Sequence, residues 1–471
     1  MRKGTLLFNL TALVSAQALI KLVNFAVSIA VVRYLGAQEL GRYAYVLAFV
    51  YPFGIVADFG LATFAIREIS REPGRGPEVV AGLRRAVLLL SGLGSVAMMS
   101  VAIMAGHDMT TMLCMGLAAL SMLLSAATTP FIVVLTARED LHLVSVHRVA
   151  ASILVAMATV IVLLQEGASL GLLAVSVAVN GLMLVFARYL TGSAPSPPVV
   201  LSTRARTMIR QALPFGLLML GYALYYRVDM IMLHWLREAR DVGLYAAAYR
   251  FLDAVILLSA SIGGPFYPRL SGMVGRDQQG IRDLLEGTWK PLLALGLPVM
   301  LGTFFLADSL TQVLFGEEFV EAGVVLKVLI LGSLPLLWIN IPNQALQAAD
   351  VVLPLARMYG LSVLVNVLLN IVLIPRWGPV GAAVATVACE WLNLVLVVRM
   401  VRREFGLSLS YEGLWRYLVA AAVMVVVLWA SRDLALALEV FLGALAYVAS
   451  LLLVGYLRSA DLLTVKRLLT Q

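Results

Sequence analysis

The sequence predicts an all-α polytopic membrane protein of about fourteen transmembrane helices, and three observations predict it. Of its 471 residues 61% are hydrophobic and only 13% charged, against about 25% charged in an ordinary soluble domain. The apolar residues fall in continuous runs of about 20, long enough to cross a hydrocarbon core about 30 Å thick, rather than in the alternating ten-residue pattern of a barrel. Lys and Arg gather on alternate connections between those runs.

The runs occupy 9–34, 40–62, 82–106, 109–136, 146–165, 168–190, 208–236, 243–272, 288–308, 320–348, 356–375, 378–401, 412–431 and 437–457, with ends good to about four residues. The first carries Gln17, Lys21 and Asn24 and has no small-residue cleavage site before Arg33, so it reads as a retained helix rather than a signal peptide. The second ends near Asp58, before the basic stretch Arg67, Arg71, Arg75, Arg84 and Arg85. After the sixth comes the one Pro-rich polar connector, "TGSAPSPPVVLSTRAR", Thr191 to Arg206. The tenth contains "WINIPNQALQ", a polar tract around Pro342 that reads as an interrupted helix. Little chain is left over for a soluble domain.

Counting basic residues loop by loop gives one side nearly all of them. The other receives only Arg33, Arg42, Arg237, Arg240, Arg376 and Arg432. That asymmetry predicts an even number of spans with both termini in the cytoplasm. The net charge of +8 is then positive-inside bias facing anionic lipid, not a nucleic-acid surface.

The connector divides the chain into an N-lobe at 1–190 with helices 1–6, a cytoplasmic linker at 191–207, a C-lobe at 208–401 with helices 7–12, and two further helices with the C-terminus at 402–471. An internal echo supports two pseudo-symmetric six-helix lobes. "YLGAQELGRYAY", Tyr34 to Tyr45, resembles "WLREARDVGLYAA", Trp235 to Ala247, once one residue is inserted, and both place Gly-x-Tyr-Ala after the first outer loop of a lobe. An even number of helices between the copies makes them parallel repeats, one of the arrangements on which transporters are built.

Charges inside the apolar runs are the candidate functional residues, because each costs about 2.5–3.5 kcal/mol near the bilayer centre and needs a partner, a wet cavity or a task. Gln17, Lys21 and Asn24 share one face of the first helix. Arg227 and Asp229 stand about 200° apart on a helix and need different partners. Arg250 and Asp253 share a face and can pair locally; they could equally join Arg227 and Asp229 in a cross-helix network, or Arg227 or Arg250 could offer a guanidinium fork to a pyrophosphate. Asn340, Asn343 and Gln344 are a sugar-contact region or a hinge. The carboxylates Asp58, Asp229, Asp253 and Glu390 are coupling or structural groups, with Arg67 the structural partner of Asp58 and Asn393 one turn from Glu390. Lys327 reaches toward Glu317, Glu318 and Glu321.

His107, His142, His147 and His234 are scattered without zinc spacing, His142 and His147 reading as solvated structural residues. Cys114 and Cys389 each lie in a span as packing residues. No Gly-x-x-x-x-Gly-Lys-Ser/Thr loop is present, so ATP hydrolysis is not expected, and no soluble domain is left to host glycosyl transfer; the reading is of a transporter without enzymatic activity, cofactor or metal.

Four stretches together resemble a known family: "DFGLATFAIREIS" at Asp58 to Ser70, "YYRVDMIMLHWL…DVGLYAAAYRFLD" at Tyr225 to Asp253, "LFGEEFVEAGVVLKVL" at Leu314 to Leu329 and "IPRWGPVGAAVATVACE" at Ile374 to Glu390. They are similar to the polysaccharide-transport branch of the multidrug/oligosaccharidyl-lipid/polysaccharide superfamily, which includes the Wzx-type O-antigen flippases. The resemblance implies two six-helix lobes around a central cavity, with the last two spans as an added pair. It implies movement of a polyprenyl-pyrophosphate-linked oligosaccharide from the inner to the outer leaflet of the cytoplasmic membrane by alternating access, for cell-surface polysaccharide synthesis. The partners implied are that substrate, membrane lipids, a proton or sodium coupling ion, and the glycan polymerase or ligase machinery that consumes the product. A lipid II flippase is a narrower form of the same reading. A cation-coupled drug exporter of the same superfamily and a membrane glycan polymerase or ligase are the alternatives; the cationic candidates weigh against the first and the short outer loops against the second.

Overall fold

A hydrocarbon layer offers no water to the backbone, so long apolar runs fold as helices, which bond their own amides. The computed structural model describes residues 3–165, 167–192, 216–406 and 413–454, with the side chains of these except for 3–19, 21, 22 and 73; among the described residues every regular element is helical. In chain order they are α1 (Lys3–Asp58), α2 (Leu61–Arg71), α3 (Gly76–Met104), α4 (Met109–Ala137), α5 (Leu141–Leu164), α6 (Ser169–Thr191), α7 (Gly216–Tyr225), α8 (Val228–Leu236), α9 (Ala239–Gly263), α10 (Phe266–Met273), α11 (Gln278–Phe315), α12 (Ala322–Leu329), α13 (Ser333–Ala348), α14 (Val352–Phe405), α15 (Leu414–Ala430) and α16 (Leu436–Leu453).

Ten helical stretches among the described residues are long and apolar enough to cross a membrane, and an eleventh is the pair α7 and α8, bent by 40°. Two of the ten, those containing α1 and α14, are each broken at a glycine: Gly36 (φ 71, ψ 167) and Gly378 (φ 55, ψ −132). These breaks separate the predicted spans 9–34 from 40–62 and 356–375 from 378–401. The short apolar helix α15 completes the predicted series.

The elements differ from the predicted spans in four places. The span at 243–272 is two helices, because Gly264 and Pro265 end α9 and start α10. The span at 320–348 is α12, a 3₁₀ turn at Ile330–Gly332 and α13. The span at 288–308 lengthens to the 38 residues of α11, about 57 Å of helix, so part of it extends beyond the hydrocarbon. Pro342 does not interrupt α13, which runs through it unbroken.

The chain divides into two compact units, Met1–Gly243 and Leu244–Gln471. In the first, the amphipathic α2 packs Leu61 and Ala65 against Val79, Leu83 and Val87 of α3 and Val133 of α4. Val175, Val179 and Met183 of α6 meet the Leu154 and Val155 side of α5. In the second, Trp289, Leu293 and Leu297 of α11 close on Tyr417, Met424 and Leu428 of α15 and Tyr447 of α16, whose hydroxyl donates to the Ala294 carbonyl at 2.8 Å. Large apolar side chains such as Leu89, Val96, Ile103 and Val185 stay exposed, as expected of surfaces that face lipid.

Leu83 is fully buried at the α2–α3 contact. Leu83→Ala is expected to cost about 2–5 kcal/mol, read as a lowered melting temperature of the purified protein in detergent.

Candidate functional site

The sequence "YYRVD" sets the first feature of the site. The helical ladder thins at Tyr226 and Arg227, where the Arg227 N–H donates to the Leu224 carbonyl at 3.2 Å and Arg227 leaves helical geometry (φ −130, ψ −16). The bend sends the two charges to different places, as their spacing predicts. The Arg227 guanidinium lies 5.3 Å from the centre of the partly exposed Tyr51 ring, within cation–π range. Asp229 is buried, and its Oδ1 accepts the Met230 N–H at 2.8 Å.

The other predicted residues of the first unit lie apart from one another. Gln17 and Lys21 have side chains outside the described residues. Asn24 is exposed and accepts the Ser152 hydroxyl of α5 at 3.1 Å. Asp58 ends α1, and Phe59 (φ 42) and Gly60 (φ 78) follow in the left-handed region before α2 begins. A non-glycine residue there is strained, which marks the junction as a fixed turn. Asp58 accepts the Ala62 N–H at 3.4 Å and makes no ion pair among the described residues, so the expected pairing with Arg67 is replaced by a helix-start contact.

In the second unit Arg250 takes Asp253 of its own helix, at 3.8 Å. On α13 the Gln344 amide donates to Asn340 Oδ1 at 2.6 Å, and Asn343 Nδ2 donates to the Tyr359 hydroxyl of α14 at 3.0 Å. Asn343 Oδ1 and Gln344 Oε1 are buried acceptors without a hydrogen bond among the described residues, so this polar tract has unused capacity. Glu390 is buried on the second half of α14, one turn from Asn393, which accepts the Ser362 hydroxyl at 2.5 Å.

Sequence reasoning missed the rest of this seam. Ser362, Asn366 and Asn370 are buried on one stripe of the first half of α14, and Thr386, Glu390 and Asn393 on the second. Asn370 donates to Asn366 at 2.7 Å, and Thr386 meets the Tyr245 hydroxyl of α9 at 3.1 Å. The spacing of four between Ser362, Asn366 and Asn370 was the available signal. Lys327 pairs with Asp308 at 2.5 Å rather than with the Glu cluster, Cys114 and Cys389 are buried and in no disulfide, and His147 is buried against the Met183 carbonyl rather than solvated.

Two of the scattered histidines come together in the first unit. The His234 ring stacks on Tyr45 with centroids 3.6 Å apart, and the His107 ring centre lies 5.7 Å from that of His234. The Tyr45 hydroxyl is 2.8 Å from His107 Nε2 and 3.2 Å from Trp235 Nε1. Arg42 pairs with Glu39 and lies 3.9 Å from Asp108, while Glu39 accepts the backbone N–H and hydroxyl of Ser169 at the start of α6. A cavity of about 520 Å³ opens beside Ala105, His107, His234 and Trp235. Next to it the sequence echo acquires a physical meaning: a Cβ on Gly41 would collide with the Ala239 carbonyl, and one on Gly243 with the Ala37 carbonyl.

Residues 6–274 match the family model described as Polysaccharide biosynthesis protein, and residues 214–372 match that described as MatE. Two Haloferax volcanii proteins are similar: "Probable low-salt glycan biosynthesis flippase Agl15", 28% identical over 50% of this chain and 51% of that one, and "Probable flippase AglR", 27% identical over 47% and 48%. The chain therefore spans about half the length of these curated relatives. Among solved structures, "Lipid II flippase MurJ, inward closed conformation" aligns with a TM-score of 0.79 at 13% identity, over 96% of this chain and 99% of that one. An inward-facing multidrug resistance MATE family transporter of the MOP superfamily aligns at 0.64 with 17% identity, over 82% and 94%. At these identities the structural likeness is one of fold.

Asn393→Ala is expected to remove the side-chain acceptor of the buried Ser362 hydroxyl, which keeps the Met358 carbonyl within reach, and to destabilise the second unit by about 0.5–1.5 kcal/mol. Thermal unfolding of the purified variant checks this.

Proposed function

We propose, from the premise that this chain belongs to the polysaccharide biosynthesis protein family, that it is a flippase carrying a polyprenyl-pyrophosphate-linked oligosaccharide from the inner to the outer leaflet of the cytoplasmic membrane. It is a multi-pass membrane protein whose fold is shared with transporters. The observation that carries the reading is Arg227: a guanidinium at a bent, membrane-spanning helix pair, partly exposed and held over Tyr51. Such a group suits a pyrophosphate, because its planar fork can donate two parallel bonds to phosphate oxygens and loses less hydration than an ammonium would. Lys21 is assigned to the same head group, with Gln17 and Asn24 beside it. The name of the Haloferax volcanii relative Agl15 supports a glycan-linked cargo, and that of AglR supports a flippase.

The mechanism is alternating access. The head group binds from the cytoplasmic side, the lipid tail stays in the bilayer, and the bound state reopens outward. Asn340, Asn343 and Gln344 offer amide groups to sugar hydroxyls, drawing on the two buried side-chain carbonyl oxygens that have no hydrogen bond among the described residues. Arg250 is already engaged by Asp253, so it ranks below Arg227 as a phosphate ligand. An inside-negative potential favours outward movement of an anionic head group, by about 2.3 kcal/mol per charge per 100 mV. A proton or sodium gradient acting at Glu390, Asp229 or Asp58 is the second energy source in this reading. Both termini are assigned to the cytoplasm, and the product passes to a glycan polymerase or ligase outside.

The match of residues 214–372 to the MatE model favours a second reading, gradient-driven export of cationic small molecules. The deciding measurement is flipping in liposomes of a lipid-linked oligosaccharide and of lipid II, with and without pH and sodium gradients. Drug efflux without movement of either lipid overturns the proposal. Arg227→Ala and Lys21→Ala are each expected to slow flipping about tenfold, the loss of about 1.4 kcal/mol of head-group binding, at wild-type protein levels. Loss of folded protein in Arg227→Ala would instead make this residue a structural one.

A further inference from the structure

The Tyr45 cluster is not used by the transport reading, and its hydrogen bonds have a direction. An indole N–H can only donate, so at 3.2 Å Trp235 donates to the Tyr45 oxygen. The single phenolic proton is then left for His107 Nε2 at 2.8 Å, which must present a lone pair. The chain Trp235 to Tyr45 to His107 therefore closes only while His107 is neutral, with its own proton on Nδ1. Protonating His107 places a donor at Nε2, and the hydroxyl proton of the fully buried Tyr45 loses its acceptor.

The surroundings give the charge no rest. His234 lies flat on the face of the Tyr45 ring, 5.7 Å from His107, and Arg42 adds a positive charge nearby. Asp108 is the carboxylate that acts on both imidazoles, and it is shared with the Thr111 hydroxyl at 2.5 Å and with Arg42; Glu39 is held by Arg42 and Ser169. From α6 the contact is Ser169, which is not titratable in this range, and Cys114 of α4 lies behind it at 3.9 Å. Burial lowers the His107 value, against the opposing pull of Asp108. The cavity beside His107 gives protons a route to it.

We propose that Tyr45, His107 and Trp235 form an acid-released latch, which holds the 37–45 stretch of α1 against the 234–243 stretch of α8 and α9 and lets go when His107 takes a proton. The proposal rests on the flippase reading in one respect, that this end of the molecule faces outward, where Arg42 and Arg237 fall on the predicted outer side. The latch then makes the outward closure sensitive to acid outside. The sign follows from proton counting: the closed latch binds fewer protons than the released one, so closure is complete above the ordinary imidazole value of about 6.5 and weakens as pH falls below it. The flanking contacts at Gly41 and Gly243 are backbone contacts with no titratable group, so the pH dependence of this crossing falls to His107.

The test places spin labels at the exposed positions Gln38 and Glu238 and measures their distance distribution in the intact protein in lipid nanodiscs, without substrate. Between about pH 8 and about pH 5.5 the longer-distance population is expected to rise at least about two-fold. His107→Gln keeps an oxygen acceptor for Tyr45 but cannot titrate, and is expected to abolish the response. Tyr45→Phe removes both hydrogen bonds while keeping the ring, and is expected to show the longer distance at both pH values. His234→Phe keeps the stacking and is expected to retain the response. A pH-independent wild-type distribution overturns the latch, as does a response that survives in His107→Gln or disappears in His234→Phe. Because no lipid-linked sugar is present, these outcomes are separate from success or failure of the flipping assay.

Discussion

A polar group carried into hydrocarbon must find its partner inside the chain, and the rest of this structure depends on that constraint. Hydroxyls satisfy it within their own helices: Thr128 donates to the Leu124 carbonyl, Thr136 to Ile132 and Ser145 to Leu141. Four-residue back-bonding of this kind lets an apolar helix carry polar side chains without help from its neighbours. Amides are longer and have two ends, so they pair across a turn, as Asn370 with Asn366, or with another helix, as Asn343 with Tyr359. Charges need still more: Arg250 and Asp253 pair within α9, and others stand where the helical ladder is already open.

The positions of the breaks follow from this. Asp58 stands at the α1–α2 junction, Arg227 at the α7–α8 bend and Arg376 beside the Gly378 break in α14. A break exposes backbone groups that a flanking side chain can bond, as Asp58 does for Ala62. It also frees a charged side chain from the apolar cylinder of a straight helix. Arg227 reaches the face of Tyr51 because its own backbone has departed from the helix, while Asp229, two residues further on in the first turn of α8, is carried inside. Transport proteins use the same arrangement for binding, since broken helices present both backbone and side-chain groups at membrane depth.

Helix number and order were legible from hydropathy, because apolar length is a property of composition. The separation of Arg227 from Asp229 was legible from helical angle alone. Boundaries were less so: Gly264 and Pro265 inside a predicted span, and the extension of α11 beyond it, depend on local breakers and on helix that leaves the hydrocarbon. The α14 seam was half legible, through Glu390 and Asn393, since its other members are neutral and an isolated Ser or Asn in an apolar run raises no cost alarm. The His107–His234 pair was not legible, because 127 positions separate residues that only tertiary packing brings to 5.7 Å. Asn24 was legible as part of a polar stripe, although its contact with Ser152 depends on how α1 and α5 pack.

The echo of Gly-x-Tyr-Ala at 41–44 and 243–246 shows why a short repeat can survive where longer likeness has faded. Gly41 abuts the backbone at Ala239, and Gly243 abuts the backbone at Ala37. Each copy supplies the carbonyl that excludes a side chain from the other, so the requirement for glycine is reciprocal. A methyl at either site would push main chain against main chain, and neither partner is a flexible side-chain end that could turn aside. Close approach of this kind is what small residues allow between helices in lipid, where burial of apolar surface supplies little attraction and backbone packing must supply it. The aromatic and imidazole cluster stands directly beside that crossing, on Tyr45 from one stretch and His234 and Trp235 from the other. A close backbone contact thus fixes the frame, and within that frame one phenolic hydroxyl has room for one donor and one acceptor.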